Sequence, residues 1–500
     1  MQRLVTFVVI LLGILLLSAG LYLTVLGPAA TMTTVSVAAI KPGDQEAAWL
    51  HPATNIATWE RFVAGLKELP DVSIDDTAAF PEDSMKLPVV GIQYPGNART
   101  LWIRWYKLTG QRNIEQWVNE LCLRTPPPMA IVGGGNSERA RDIALHLKRL
   151  SQKQSVTRLP VFLITTATAD KVLHPDTGII DLMQIYPERS FRYCFTNRQM
   201  AEGIHDFVQE HINKDRNLEI TSPRISLISW HDDPFSEDLV DQFEEIWRTP
   251  TPTSPVPGVW AHRIAHSVGS LNQPNKPEAA AIDKLIKEAS SESIVFRGRE
   301  LLVLPGGPNP SRRVLRTLYR TDPLERHFWV VTVADAIDWN TLYRDRRLTW
   351  SIEDVPFTLI AFMHRNPVEQ QLRASPGFVS DDSTLDAPNS TGTDDLLLYR
   401  DIGLSLSKAF KEVTEENDPA NILLRHMRQE LDPQGQPLFD DQGNRPGRAG
   451  EFITLLRPQY DGQQVLPKSK IEVFERMVAS NSWRRVIAID ADYSTNRGKP

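Results

Sequence analysis

Apolar runs of strand length alternate with apolar residues at helical spacing along most of this chain. Residues 34–40 alternate and are β-branched, which predicts a strand before the polar turn Pro42-Gly43-Asp44. Trp59, Phe62, Val63 and Leu66 then recur on one helical face. Residues 89–94 and 101–106 predict strands, and Ile114, Trp117, Val118 and Leu121 a further amphipathic helix. At 129–132 an apolar run ends in Gly133-Gly134-Gly135. Asn136-Ser137 then starts a helix with Ala140, Ile143, Ala144 and Leu147 on one side.

Further strands are predicted at 160–165, 191–195, 225–230, near Val259, and at 301–304 and 328–333. Helices separate them, carried by Ile204 and Phe207, Leu239 and Phe243, Ile282 and Leu285, and Val314 and Leu318. This order predicts an α/β chain of doubly wound parallel sheets, and so many units require two sheets. Residues 366–395 have loop composition, 398–413 and 422–427 are helical, 438–445 have hairpin-turn chemistry, and 452–456 form a strand.

Composition adds limits to this pattern. The 500 residues suffice for two or three domains, and 55 basic against 62 acidic residues, interspersed, leave no basic face for nucleic acid. Residues 4–26 are almost wholly apolar and uncharged, long enough to span a bilayer. An uncleaved transmembrane anchor is favoured over a signal peptide, because the small-residue cleavage pattern near Pro28 is poor. Either way Arg3 stays cytoplasmic, and residues 31–500 lie on the periplasmic or extracytoplasmic side. Cys122 and Cys194 have no metal-ligand spacing and read equally as one disulfide or two buried thiols.

No catalytic signature is present. The nucleophile elbow, the Walker loop and the zinc helix are all missing, and Glu138 stands where a dinucleotide fingerprint needs its third glycine. The reading is therefore of a protein without enzyme activity, cofactor or metal. His231-Asp232-Asp233 sits at a strand exit, where a helix-capping turn is favoured over a cation site.

The turns at the carboxyl ends of the predicted strands carry the remaining chemistry, because open parallel sheets bind ligands there. Residues 133–137 and 165–170 offer N–H groups and hydroxyls that suit a carboxylate, although a single glycine-rich turn can equally be only a turn. Asp335 and Asp338 offer negative charge for an amine. Asp335 taken alone is an ordinary helix cap.

The order of motifs resembles the type I periplasmic solute-binding proteins, in particular the branched-chain amino acid (leucine/isoleucine/valine) binding family. The resemblance runs over about 34–465 and rests on several segments. They are Ala130 through Ser137, Leu159-Pro160-Val161 on to Thr168, Ser190-Phe191-Arg192, Arg224 through Phe235, and Phe439 through Arg445. It implies two α/β lobes joined by three crossovers, with a cleft between them. Lobe one would comprise 33–197 and 328–430, and lobe two 198–327 and 431–467. A membrane anchor or signal segment at 1–30 would precede them and an extension at 468–500 follow.

Carried over by position, Asn136, Ser137, Thr166 and Thr168 would hold the carboxylate of an amino acid-like ligand. Asp335 would face its amine, and Phe235 would close over it from lobe two. The family's Tyr-Gly appears here as Phe235-Ser236, its serine-rich turn is thinned to Ser137, and Pro305-Gly306-Gly307-Pro308 has no aromatic lid. The resemblance implies delivery of solute to the permease of an ABC-type importer. A membrane-tethered ligand sensor or interaction protein of the same fold is the alternative, and the sequence does not choose the ligand.

Overall fold

The computed structural model describes residues 41–83, 86–153, 158–212, 225–248 apart from 232, and the segments 259–264, 300–304, 328–333 and 358–364. It also describes 393–431, 437–445, 451–461, 464–477, 482–492 and a few single positions.

The first described strand is β1 (Gln45–Pro52), one segment later than the alternating pattern suggests. Residues 34–40 lie outside the described residues. β1 escapes a search for alternation because it runs between two neighbours and is buried on both faces through Ala47, Ala48, Trp49 and Leu50. It also buries a charge. The Glu46 carboxylate accepts from Arg104 Nη1 at 2.9 Å, Arg124 Nη2 at 2.5 Å and the Tyr106 hydroxyl at 2.7 Å.

After β1 come α1 (Ile56–Lys67), β2 (Ser73–Asp75), β3 (Val89–Gln93) and β4 (Leu101–Leu108). Next are α2 (Ile114–Leu123), β5 (Ala130–Gly133), α3 (Ser137–Ser151) and β6 (Val161–Ile164). A small hairpin, β7 (Lys171–His174) and β8 (Gly178–Asp181), leads to β9 (Ser190–Arg192). The first sheet has the order β2-β3-β4-β1-β5-β6-β9. β4, β1, β5, β6 and β9 are parallel, while β3 and β2 add an antiparallel edge, so the sheet is mixed rather than purely parallel. Helix starts follow local chemistry: Asn113 and Gln116 form a reciprocal capping box at α2, as Thr196 and Gln199 do at α4 (Asn197–Phe207).

The second sheet contains β10 (Ile225–Trp230), β11 (Val259–Ile264), β12 (Glu300–Leu304), β13 (Phe328–Val333) and β14 (Leu359–His364). It continues through β15 (Glu451–Asp461), β16 (Gln464–Met477) and β17 (Ser482–Asp492) in the order β11-β10-β12-β13-β14-β15-β16-β17. The strands through β14 are parallel, and β15 to β17 form an antiparallel meander. Helix α5 (Pro234–Arg248) packs on β10.

Two boundaries differ from those the resemblance implies. β13 and β14, expected in lobe one, hydrogen-bond into the second sheet, whereas α6 (Thr393–Glu412) and α7 (Pro419–Gln429) pack on the first. The chain therefore returns between His364 and Thr393, not before Phe328. Residues beyond 467 are not an appendage either, since β16 pairs with both β15 and β17 along much of its length.

Each face of the first sheet has its own core. One gathers Trp49, Trp59, Phe62, Tyr399, Phe410 and Phe439, so α6 completes a face begun by α1 more than 300 residues earlier. The other gathers Tyr106, Trp117, Ile143, Phe162 and Tyr186 under α2 and α3. Cys122 and Cys194 are both buried, one in each core, and no disulfide joins them, which resolves the alternative between disulfide and thiols. Among the described residues no helix is long and apolar enough to cross a membrane; residues 4–26, the expected anchor, lie outside them.

Candidate ligand-binding site at the strand carboxyl ends

β1, β5 and β6 are neighbours and parallel, so their carboxyl ends place His51, Gly135-Asn136-Ser137 and Thr165 to Asp170 at one end of the first sheet. Asn136 caps α3, its side chain accepting from the Arg139 N–H at 2.8 Å. The buried Ser137 hydroxyl accepts from the Ala169 N–H at 3.2 Å. Thr166 donates to the Gly135 carbonyl at 3.2 Å. These bonds tie the two loops into one surface. They also mean that Asn136, Ser137 and Thr166 already have protein partners.

Thr168 is different. It is fully buried, and among the described residues its Oγ1 has no hydrogen-bond partner. Its carbonyl accepts from the Asn197 N–H at 2.8 Å and from Arg192 Nη1 at 3.0 Å. Asn197 at the start of α4 is also fully buried, and its Oδ1 likewise has no partner among the described residues, while its Nδ2 donates to the Phe235 carbonyl at 3.1 Å. Two orphaned polar atoms at one junction are unusual, because buried polar groups are nearly always hydrogen-bonded.

From the other sheet comes α5, which follows β10. Phe235 is buried in its first turn, and Asp233 accepts from the Phe235 N–H at 3.1 Å, the capping role favoured for this turn. The Asp238 carboxylate accepts from the N–H groups of Asp170 at 2.8 Å and Lys171 at 3.1 Å, and from Asn197 Nδ2 at 2.8 Å. Burial pushes the Asp238 carboxyl up to about 7, and the nearby Asp170 charge adds to the shift against its hydrogen bonds. Burial also raises Asp170, which Arg192 opposes from 3.5 Å.

Sequence reasoning did not give roles to His51, Arg61, Arg139, Arg192 or Asp238. Arg192 is a buried hub, donating to Asn444 Oδ1 at 2.9 Å and to the Ala169 carbonyl at 2.9 Å. Its position inside Ser190-Phe191-Arg192, a charge in an apolar strand, is the one signal that could have marked it. His51 escaped because its strand did. Asp335, the expected amine partner, and the turns 305–308 and 334–340 lie outside the described residues. A cavity of about 320 Å³ lies elsewhere, at the amino ends of β1 and β5, between Gln45, Met129 and Asp418.

An extracellular ligand-binding receptor from Verminephrobacter eiseniae ef01-2 matches this arrangement with a TM-score of 0.50 at 11% identity, over 84% of this chain and 99% of that one. The chain shares that receptor's fold. An ABC transporter substrate-binding protein from Desulfitobacterium hafniense gives a TM-score of 0.49 at 12% identity, covering 88% of this chain and 99% of its own. A solute-binding protein of an ABC transporter from Rhodopseudomonas palustris BisB5, solved with 3,4-dihydroxy benzoic acid, gives 0.47 at 11% identity, covering 90% and 98%. No family model and no curated protein matches the chain. At such identities the likeness is one of fold, and function rests on the residues.

Proposed function

We propose that this chain is an extracytoplasmic solute-binding protein that takes a small carboxylate-bearing solute between its two lobes and serves an ABC-type importer. Thr168 carries the reading. Its hydroxyl is buried and unpaired beside Ser137, at adjacent strand exits where parallel sheets bind ligands. Leaving such a group unsatisfied costs about 1–3 kcal/mol, which a ligand oxygen would recover. In this reading Asn136, Ser137, Thr166 and Thr168 line the lobe-one side, Phe235 covers the solute from lobe two, and Asp335 faces it from beyond β13. Closure is then a population shift driven by contacts that the solute makes with both lobes. Residues 4–26 hold the chain to the outer face of the membrane, or are removed as a signal.

A membrane-tethered ligand sensor is the second reading. It is favoured by the hydrogen bonds that Asn136, Ser137 and Thr166 make within the protein, which leave less for a transported solute. Calorimetry of the full chain against small organic acids and amino acids tests binding, and no heat at millimolar solute defeats both readings. The double variant Ser137→Ala, Thr168→Ala abolishes binding; unchanged affinity refutes the site. Deleting the chain then separates the two roles, since loss of solute uptake marks transport and unchanged uptake marks sensing.

A further inference from the structure

His51 ends β1 directly under the opening turn of α3. Its ring stacks on Trp49 with centroids 4.8 Å apart and planes within 2°, and its Nε2 meets Asn55 Nδ2 at 3.1 Å. The Cε1–Nδ1 edge of the ring lies against Gly135, where a Cβ would come within 2.7 Å of His51 Cε1. Only glycine lets the imidazole pack this closely against the turn that starts the helix.

Two guanidinium groups act on this ring from different elements, Arg139 from the first turn of α3 and Arg61 from α1. Burial, followed by these two positive charges, lowers the His51 imidazole to about 3, so the ring is neutral at physiological pH and adds no charge of its own. Arg139 is itself half-buried, and burial lowers its guanidinium. Among the described residues it forms no ion pair; the exposed Glu138 carboxylate, 3.8 Å from Arg141, still acts on it and partly opposes the effect of burial. The amino end of α3 adds positive potential at the same place. On the adjacent strand exit, the unpaired Thr168 hydroxyl offers one further hydrogen bond.

We infer that this end of the first lobe selects a net anionic organic acid, one with no compensating ammonium group, and that Arg139 and Arg61 supply the selecting charge. The inference rests on the solute-binding reading, narrows it, and gives up Asp335 as the partner of an amine. A zwitterion brings its ammonium into the field of the two guanidinium groups, which cancels part of what its carboxylate gains. An acid of the same carbon skeleton without the amine keeps the whole gain.

Matched pairs that differ only in the ammonium group test this: 4-methylpentanoate against leucine, and glutarate against glutamate, titrated calorimetrically into the full chain. The acid of at least one pair binds tenfold or more tightly than its amino acid. Arg139→Gln weakens the acid at least tenfold, and Arg139→Lys, which keeps the charge, recovers part of the loss. An amino acid that binds as tightly as its acid overturns the inference and leaves the solute-binding reading standing. Affinity for the acid that Arg139→Gln does not move overturns the assignment to this residue. If neither member of either pair binds at millimolar concentration, both the inference and the reading beneath it fall.

Discussion

Asp238 Oδ2 accepts the Asp170 backbone N–H at 2.8 Å, tying the helix after β10 of one sheet to the loop that leaves β6 of the other. With Lys171 and Asn197 also donating to it, this one carboxylate holds three groups at the junction of the two sheets. Asp238→Ala leaves all three donors without it. Each buried donor so orphaned costs about 1–3 kcal/mol. Urea unfolding of the variant shows a loss of at least about 2 kcal/mol; a loss below 0.5 kcal/mol would mean that water replaces the carboxylate and that the junction is open.

The same residue sets a pH dependence. The Asp238 carboxyl moves from its ordinary 3.8 to about 7 in the folded chain. Between those values the folded state holds a proton that the unfolded state has released, so stability from this group falls as pH rises from about 4 to about 7. The slope approaches about 1.4 kcal/mol per pH unit for one proton. Asp238→Asn removes that slope, and thermal melts at pH 4.5, 6 and 7.5 compare the two chains.

His51 contributes with the opposite sign. Its imidazole moves from 6.5 to about 3, so below pH 6.5 the unfolded chain takes up a proton that the folded chain does not. Stability from this group is present above about pH 6.5 and is lost as pH falls toward 3. His51→Gln therefore makes the protein less sensitive to acid, and Asp238→Asn makes it more so. Melts of both variants over pH 4 to 6.5 that shift in the same direction would contradict this assignment.

Much of the fold was legible because many of its elements are amphipathic. Helix α1 announces itself through Trp59, Phe62 and Leu66, and β10 through Ile225, Leu227, Ile228 and Trp230. β1 was misplaced because a strand buried on both faces has no alternation, and because Glu46 reads as polar until Arg104, Arg124 and Tyr106 are brought to it by β4 and the end of α2. The meander β16-β17 mixes charged and apolar residues, and its position after the expected end of the fold made it look like a tail. For the candidate site, Asn136, Ser137, Thr166 and Thr168 were legible as a pattern of turns. The charges of Arg61 and Arg139 were not, since only folding brings α1 and α3 to the same ring.

Glu46 tests how firmly the centre of the first sheet depends on its buried charge. Glu46→Gln removes the carboxylate and leaves Arg104 and Arg124 facing a neutral amide in a nearly dry setting. Breaking one side of a buried ion pair costs about 3–5 kcal/mol. Chemical denaturation measures the loss, and a cost near that of a surface pair, below about 1 kcal/mol, would show that water reaches the cluster.

Thr168 offers the sharpest separation of fold from function. Its hydroxyl has no partner among the described residues, so Thr168→Val removes an unsatisfied group and replaces it with a methyl of similar volume. Stability then stays level or rises by about 1 kcal/mol. Ser137→Ala behaves differently, because it takes away the acceptor for the Ala169 N–H and costs about 1–3 kcal/mol. If Thr168 serves a ligand, the valine variant is as stable as the parent chain yet loses tenfold or more in solute affinity. Calorimetry and thermal melts on the same samples read both quantities. A stable Thr168→Val chain with unchanged affinity would make the hydroxyl a packing defect, and would move the site away from β6.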